Sequence, residues 1–209
     1  MSGRSNAPDQ DGGDAFRLAL YAAVALVAGM IGLTMSVLVF GGGPADERRG
    51  GPISLLDHRG QPATEAIFEG QVSLVYFGFT HCPDICPLEL VNMVQAQEVL
   101  RSQGRDAQVV FVSVDPARDT PEIMSEYVSA FGDDVIGLTG TQEQVADAAD
   151  AWDVIYHIAP PTPGGDPDLY DVLHSNYMYA VDGDGRELWR FPGGTPPEVI
   201  AKRLKEVGA

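Results

Sequence analysis

The apolar residues beyond residue 52 fall into short blocks with two different periods. Residues 72–79 and 108–114 are nearly continuous apolar runs, which predict two buried strands. Between them, apolar positions spaced by three and four residues predict an amphipathic helix from Pro87 to Ser102. A second helix is predicted from Pro121 to Phe131, with Thr120 as its N-cap. These blocks predict a strand–helix–strand–helix unit with parallel strands.

The remaining blocks complete an α/β pattern. They predict strands at 53–56, 135–138 and 154–158, a helix from the cap Thr141 to about Trp152, a loop at 159–168, a strand pair at 177–181 and 187–191, and a last helix at 196–207. The turn Asp182-Gly183-Asp184-Gly185 between the paired strands is a strong hairpin signal. This order predicts an α/β sandwich with parallel strands first and an antiparallel pair at the end, which is the order of a thioredoxin-like fold.

The chain begins with a polar tail, residues 1–17, followed by a long apolar run. No Asp, Glu, Lys or Arg occurs from Leu18 to Ala45. As a helix, residues 18–40 would span about 34 Å, against a hydrocarbon thickness of about 30 Å. We interpret residues 18–40 as a transmembrane anchor, in preference to a cleaved signal peptide or a buried core helix. Residues 41–52 are a predicted linker, and residues 53–209 a predicted globular domain.

The charge of the chain bears on its partners. The net charge at pH 7 is -17, which argues against nucleic-acid binding because that function needs basic patches. An acidic surface is otherwise typical of a well-solvated domain.

The two cysteines of the chain, Cys82 and Cys86, lie in the turn between the first core strand and the first long helix. Pro87 suits the first turn of a helix and disfavours helical geometry at the residue before it, so Cys86 is predicted at or just outside the helix start. A helix N-terminus favours thiolate over thiol. The pair could form a disulfide, act as a dithiol reductant or bind a metal. Alternatively, the two cysteines have a purely structural role, as two packed residues or as one structural disulfide.

A third group is needed to choose among these chemistries. Of the four histidines, His174 precedes the first strand of the predicted hairpin. In a thioredoxin-like fold the loop before this strand faces the cysteine turn, so His174 can reach the thiols. Two thiolates and an imidazole suit copper, because thiolates select Cu(I) and the mixed set also accepts Cu(II).

Three motifs in this order resemble the Sco/SenC family of copper chaperones for cytochrome c oxidase assembly. The matching residues are Gly78-Phe79-Thr80-His81-Cys82-Pro83-Asp84-Ile85-Cys86-Pro87, then Ser113-Val114-Asp115-Pro116 with Arg118-Asp119-Thr120, then His174-Ser175 before Tyr179 and the hairpin turn. The resemblance covers Gly51 to Gly208 and implies that Cys82, Cys86 and His174 are the copper ligands. Many relatives carry Asp just before this His, where this chain has Leu173.

The resemblance implies a membrane-anchored metallochaperone. It would bind one copper ion, Cu(I) or Cu(II), and deliver it to the binuclear site in the copper-bearing subunit of cytochrome c oxidase. Other copper chaperones or thioredoxin-like reductants are further expected partners. Two alternatives stay open, namely a thiol-disulfide oxidoreductase that reduces cysteines of a partner and, more weakly, a peroxidase that uses Arg118.

The expected location is the inner (plasma) membrane, with one membrane span and the C-terminal domain on the periplasmic side. This orientation follows from the implied function. The flanking charges favour the opposite orientation slightly, since Arg4 and Arg17 precede the apolar run whereas Arg48, Arg49 and Arg59 follow it.

Other polar residues are weaker candidates. His81 is either a loop residue or an additional ligand. Asp115 and Asp119 are either strand-end and capping residues or a rim that docks a partner. The sequence predicts His58 and His157 as surface or satisfied core residues, and Asp182 and Asp184 as turn residues, because the Glu spacing of a calcium loop is missing.

Overall fold

The computed structural model describes residues 20–21, 50–161, 163–166 and 170–208. The chain divides into two compact units, residues 1–46 and 47–209. The predicted membrane anchor at 18–40 lies outside the described residues, apart from Leu20 and Tyr21. Across the described ranges, no helix has the length and apolar character needed to span a membrane.

The second unit is built on a mixed seven-stranded sheet. Its strands are β1 (Ser54–Asp57), β2 (Pro62–Thr64), β3 (Ser73–Gly78), β4 (Gln108–Ser113), β5 (Ile136–Thr139), β8 (Tyr177–Val181) and β9 (Glu187–Pro192), in the spatial order β2-β1-β5-β4-β3-β8-β9. Strands β3, β4 and β5 are parallel, whereas β8 and β9 are antiparallel. A separate two-stranded sheet pairs β6 (Tyr156–Ile158) with β7 (Val172–His174). The parallel unit and the terminal hairpin therefore confirm the predicted order.

In the described part of the second unit, three α-helices lie between strands and a fourth follows the last strand. They are α1 (Ile85–Arg101), α2 (Pro121–Ser129), α3 (Gln142–Ala151) and α4 (Pro197–Val207). The predicted caps are confirmed: the Thr120 side chain accepts a hydrogen bond from Ile123 N, and Thr141 forms a capping box with Gln144. Helix α1 packs on β3, β4 and α4, which gives the residues at its start a rigid support.

Strand β3 explains why the cysteine turn is well supported. All six of its residues are buried, because it pairs with β4 on one side and β8 on the other. A continuous apolar run is what such a central position requires. The strand ends at Gly78, directly before the cysteine turn.

Three elements were not predicted from the sequence. They are β2, a short 3₁₀ helix at Glu65–Phe68 and β7. Each is three or four residues long, so none carries enough periodic positions to be detected. The third matters for function, because His174 ends β7 instead of lying in an open loop.

Candidate metal centre

The cysteine turn joins the end of β3 to the start of α1. Cys82 lies in the turn, as predicted, but Cys86 is the second residue of the helix, which begins at Ile85. The helix therefore begins two residues earlier than the predicted start at Pro87, and Cys86 lies at its start, one residue inside it. Pro87 falls in the first turn, where its missing N–H is not needed, and this removes most of its cost to the helix. Both sulfurs therefore lie at the helix N-terminus.

Cys82 is the more accessible thiol of the pair. Its Sγ accepts a hydrogen bond from the backbone N–H of Cys86 at 3.4 Å. Burial opposes ionisation of Cys82, but hydrogen bonds from the Cys86, Asp84 and Ile85 backbone outweigh it and lower the pKa of the Cys82 thiol. Helix N-terminal amides thus stabilise the Cys82 thiolate.

Cys86 is in the opposite environment. Its side chain is fully buried, and this burial raises the pKa of the Cys86 thiol. Both cysteines are free. The two thiols therefore differ in kind, since one is partly exposed with a lowered pKa whereas the other is buried with a raised pKa.

His174 contacts the buried cysteine. Its Nε2 lies 3.5 Å from Cys86 Sγ, and its Nδ1 lies 3.1 Å from the carbonyl oxygen of Ser175. A carbonyl oxygen can only accept, so Nδ1 carries the proton and the lone pair of Nε2 points toward the sulfur. Burial lowers the pKa of His174, which keeps this ring neutral.

Two aromatic rings hold the imidazole in place. The rings of Tyr76 and Phe79 each lie 5.9 Å from the His174 ring, centroid to centroid, in edge-on geometry. Such aromatic pairs contribute about 0.5–1.5 kcal/mol each. The orientation of His174 is therefore set by packing from β3 and from the residue that follows it.

Two of the three candidate ligands, Cys82 and His174, border one open cleft of about 530 Å³, whereas Cys86 is fully buried and does not line it. One wall is the cysteine turn and the other is the segment that leads into His174, including Tyr170, Asp171, Val172 and Leu173. Leu173 is largely exposed, so the position before His174 presents an apolar side chain. Among the described residues, no group of three or more His, Cys, Asp and Glu side chains has the spacing of a preformed metal site.

A buried carboxylate anchors the start of the cysteine turn. Asp119 accepts hydrogen bonds from Thr80 N at 3.1 Å, Thr80 Oγ1 at 2.6 Å and Ser113 Oγ at 2.5 Å. Asp119 is fully buried, and this burial raises the pKa of Asp119 against the opposing effect of these donors. The turn is thus bonded to the loop that follows β4.

A second buried carboxylate anchors the opposite wall. Asp115 accepts a hydrogen bond from Tyr170 Oη at 2.6 Å and pairs with Arg118 Nε at 2.5 Å. Arg118 also donates to the carbonyl oxygen of Tyr170 and lies over its ring. Because Asp115 and Asp119 are both fully buried, the hypothesis that their carboxylates dock a partner is wrong, and they act inside the domain.

Comparison with known proteins identifies the family of this chain. The model of one protein family, SCO1/SenC, matches residues 42–209. The chain belongs to the SCO1/SenC family. It is 39% identical over 158 residues to a SCO2-like protein of Rickettsia prowazekii, a match that covers 76% of this chain and 74% of the relative.

Solved structures of the SCO1/SenC family have the same fold. Copper-bound ScoI of Arabidopsis thaliana matches with a TM-score of 0.70 and 34% identity, covering 76% of this chain and 96% of that chain. Copper-bound yeast Sco1 matches with a TM-score of 0.69 and 36% identity, covering 76% and 87%. These matches confirm the predicted α/β thioredoxin-like fold.

The remaining histidines of this SCO1/SenC chain lie away from the sulfurs or face other groups. His81 borders the cleft, but its Nδ1 contacts Thr80 Oγ1 at 3.1 Å. His58 accepts a hydrogen bond from Gly137 N, and His157 is exposed on β6. The interpretation of His58 and His157 as satisfied or surface residues is confirmed.

The charged candidates also find structural partners. Asp182 accepts hydrogen bonds from Asp184 N and Arg186 N, which confirms its role as a turn residue. The side chain of Arg118 is committed to Asp115 and Tyr170, and this pairing gives no support to a peroxidase in which Arg118 activates a thiolate.

Three residues near the site were not singled out from the sequence, namely Tyr76, Glu89 and Asn176. Tyr76 lies in a buried apolar run, Glu89 in an amphipathic helix and Asn176 in a polar loop. Each residue type is usual in such a segment, so no local signal marks these residues as part of a site. Only the packing of β3, α1 and the segment after β7 brings them together.

Proposed function

We propose that this chain is a copper metallochaperone that holds one copper ion with Cys82, Cys86 and His174 and delivers it to the binuclear copper site of cytochrome c oxidase. The observation that carries the proposal is the contact between His174 and Cys86, in which the free lone pair of Nε2 faces the sulfur at 3.5 Å. A neutral imidazole and thiolates are the form in which these groups bind metals. The copper-bound relatives with the same fold support copper as the cargo.

The donor set fits copper better than the other common metals. Two sulfurs favour Cu(I), and one added nitrogen makes the site acceptable to Cu(II). Among the described residues the three groups are not spaced as a preformed metal site, and we propose that a side chain rotates when the ion binds. Cys82, which is partly exposed in its turn, is the ligand with room to rotate. We infer that Cys82 meets the ion first and that Cys86 and His174 complete the site.

The decisive experiment compares two His→Ala variants of the full-length chain. His174→Ala removes the proposed nitrogen ligand, whereas His157→Ala removes an exposed histidine from β6, the strand paired with β7. We expect His174→Ala to lose most of the thiolate-to-Cu(II) charge-transfer band and Cu(II) affinity while Cu(I) binding persists, since two thiolates suffice for Cu(I). His157→Ala should match the wild type.

The cysteines complete this test. Cys82→Ser and Cys86→Ser should each abolish the charge-transfer band and also prevent disulfide formation. If His174→Ala keeps an unchanged band and affinity, His174 is not a ligand and the metallochaperone proposal fails in this form.

The difference between the two thiols favours one alternative function, a thiol-disulfide oxidoreductase. A partly exposed cysteine with a lowered pKa can attack a partner disulfide, and a buried cysteine beside it can then resolve the mixed disulfide. This activity needs Cys82 and Cys86 but not His174. Reduction of a protein disulfide that survives in His174→Ala and is lost in Cys82→Ser would establish it.

We further propose that residues 18–40 anchor the chain in the inner membrane with the copper-binding domain on the periplasmic side. The support is the charge-free apolar run of the sequence. The copper-bearing subunit of cytochrome c oxidase is the proposed recipient, with other copper chaperones or thioredoxin-like reductants as further partners.

A further inference from the structure

Glu89 is a buried acid that the site described above does not use. It lies one turn after Cys86 on α1, and its side chain is 1% exposed. Its Oε1 accepts hydrogen bonds from Gly194 N at 2.6 Å and Asn176 Nδ2 at 3.4 Å, whereas Oε2 has no partner among the described residues. A buried carboxylate with an unpaired oxygen costs stability. We therefore look for the role of Glu89 in the two hydrogen bonds that Oε1 accepts.

Asn176 connects Glu89 to the candidate metal centre. Its Oδ1 accepts a hydrogen bond from Tyr76 Oη at 3.0 Å. The Tyr76 ring lies edge-on to His174. Asn176 follows His174 by two residues, so its side chain fixes the segment that carries the imidazole.

The turn after β9, at Gly193 and Gly194, packs against Asn176. Gly193 N donates to the backbone oxygen of Asn176 at 2.9 Å. A Cβ atom at Gly193 would lie 1.8 Å from Asn176 Nδ2, so the absence of a side chain at Gly193 makes room for the amide. Neighbouring Gly194 supplies the N–H that holds Glu89.

We propose that Glu89, Asn176 and Tyr76 form a clamp that positions His174 against Cys86. Helix α1 carries both Cys86 and Glu89, so the Glu89–Asn176 bond ties the cysteine side of the site to the histidine side. Tyr76 then supports the imidazole from β3. The three are positioning residues, because Glu89 and Asn176 act through Tyr76 and the chain segment around His174.

The effect on copper rests on the proposed function. With the clamp intact, the Nε2 atom stands beside the sulfur before an ion arrives, and little ordering is needed on binding. Without it, the His174 segment must be ordered at that moment, which weakens the nitrogen contribution. Groups that orient a metal ligand contribute about 10–100-fold to metal affinity, and we expect about tenfold here because Glu89 acts through intermediates.

Two substitutions of Glu89 in the full-length chain separate positioning from simple packing. Glu89→Gln keeps an oxygen that can accept from Gly194 and Asn176, whereas Glu89→Leu keeps a similar volume without an acceptor. We expect about a tenfold loss of Cu(II) affinity and a shifted charge-transfer band in Glu89→Leu, with a smaller change in Cu(I) affinity. Glu89→Gln should stay near the wild type. Glu98→Leu, at an exposed position of the same helix, is the matched control.

A copper-free measurement tests the clamp independently of copper. Amide hydrogen exchange at residues 172–176 should be faster in Glu89→Leu than in the wild type, Glu89→Gln and Glu98→Leu. Should Glu89→Leu fail to fold, Asn176→Ala breaks the same link and should accelerate the same amides.

Three results would decide between the clamp and its alternatives. Unchanged exchange and unchanged copper binding in Glu89→Leu would overturn the clamp. Equal losses in Glu89→Gln and Glu89→Leu would also overturn it, because the acceptor oxygen would then be irrelevant. If the wild type shows no His174-dependent copper signal, the proposed function fails, and faster exchange in Glu89→Leu alone still supports the clamp.

Discussion

Replacing Asp119 by Ala should release the start of the cysteine turn. The change removes the acceptor of three hydrogen bonds and leaves Thr80 N without its partner, while the two hydroxyls of Thr80 and Ser113 can turn elsewhere. An unpaired buried amide costs about 1–3 kcal/mol, and bonds to a charged acceptor are worth about 1.5–3 kcal/mol each. Removal of the buried charge offsets part of this loss. We expect a net loss of about 2–4 kcal/mol.

This loss is large enough to measure. Domains of 150–250 residues lose about 2–4 °C in Tm for each kcal/mol, so Asp119→Ala should lower Tm by roughly 4–16 °C. Urea unfolding followed by the fluorescence of Trp152, which is buried in the core, gives the free energy directly. Asp133→Ala, at an exposed position, controls for the loss of one acidic residue. A loss below about 1 kcal/mol in Asp119→Ala would refute the anchoring role.

The pH dependence of the same pair of proteins checks the electrostatic argument. Because burial raises the pKa of Asp119 above its ordinary value of 3.8, the folded state holds this proton more tightly than the unfolded state. The proton-linked part of the contribution of Asp119 to stability is therefore fully present below 3.8 and is lost as pH rises through the higher folded-state pKa. The stability difference between wild type and Asp119→Ala should grow as pH falls from about 7 to about 4. A difference that shrinks would mean that the hydrogen bonds outweigh burial.

Three further outcomes follow from the geometry. In the reduced, copper-free chain, iodoacetamide should modify Cys82 first, and the pH dependence of this rate should give a pKa for Cys82 below that of a free thiol. Cys86 should react only on unfolding, and equal modification rates for the two cysteines by mass spectrometry would contradict its burial. Gly78→Ala should cost about 1–3 kcal/mol in urea unfolding, since the added Cβ would lie 2.8 Å from the Phe111 ring and 2.9 Å from Cys86 Sγ; wild-type stability would show that the strand shifts freely. A reporter fused after Ala209 should be active only outside the cytoplasm, and purely cytoplasmic activity would rule out the proposed orientation.

The sequence by itself determined the order of the longer strands and helices and placed both cysteines in the turn between β3 and α1. Continuous apolar runs mark β3 and β4 because both strands are buried on both faces. The cap residues Thr120 and Thr141 mark helix starts because their side chains satisfy local amides. These signals are local along the chain, so they could be recognised without knowledge of the fold.

The short elements and the cysteine position show where local signals end. Strand β7 has three residues and pairs with β6 across a long loop, so its pairing depends on distant residues. Cys86 enters the helix despite the bias of Pro87, because tertiary support for α1 from β3, β4 and α4 outweighs a weak local preference.

Only the tertiary structure decided how the site is held. It made Cys82 accessible and Cys86 buried, although both stand in one short motif, because depth in the fold depends on what packs above each sulfur. It buried Asp119 against the cysteine turn and joined Glu89 to Asn176 across 87 positions of the chain. Hydrogen bonds and desolvation act between groups that are close in space, and the amino-acid order carries no local mark of that closeness.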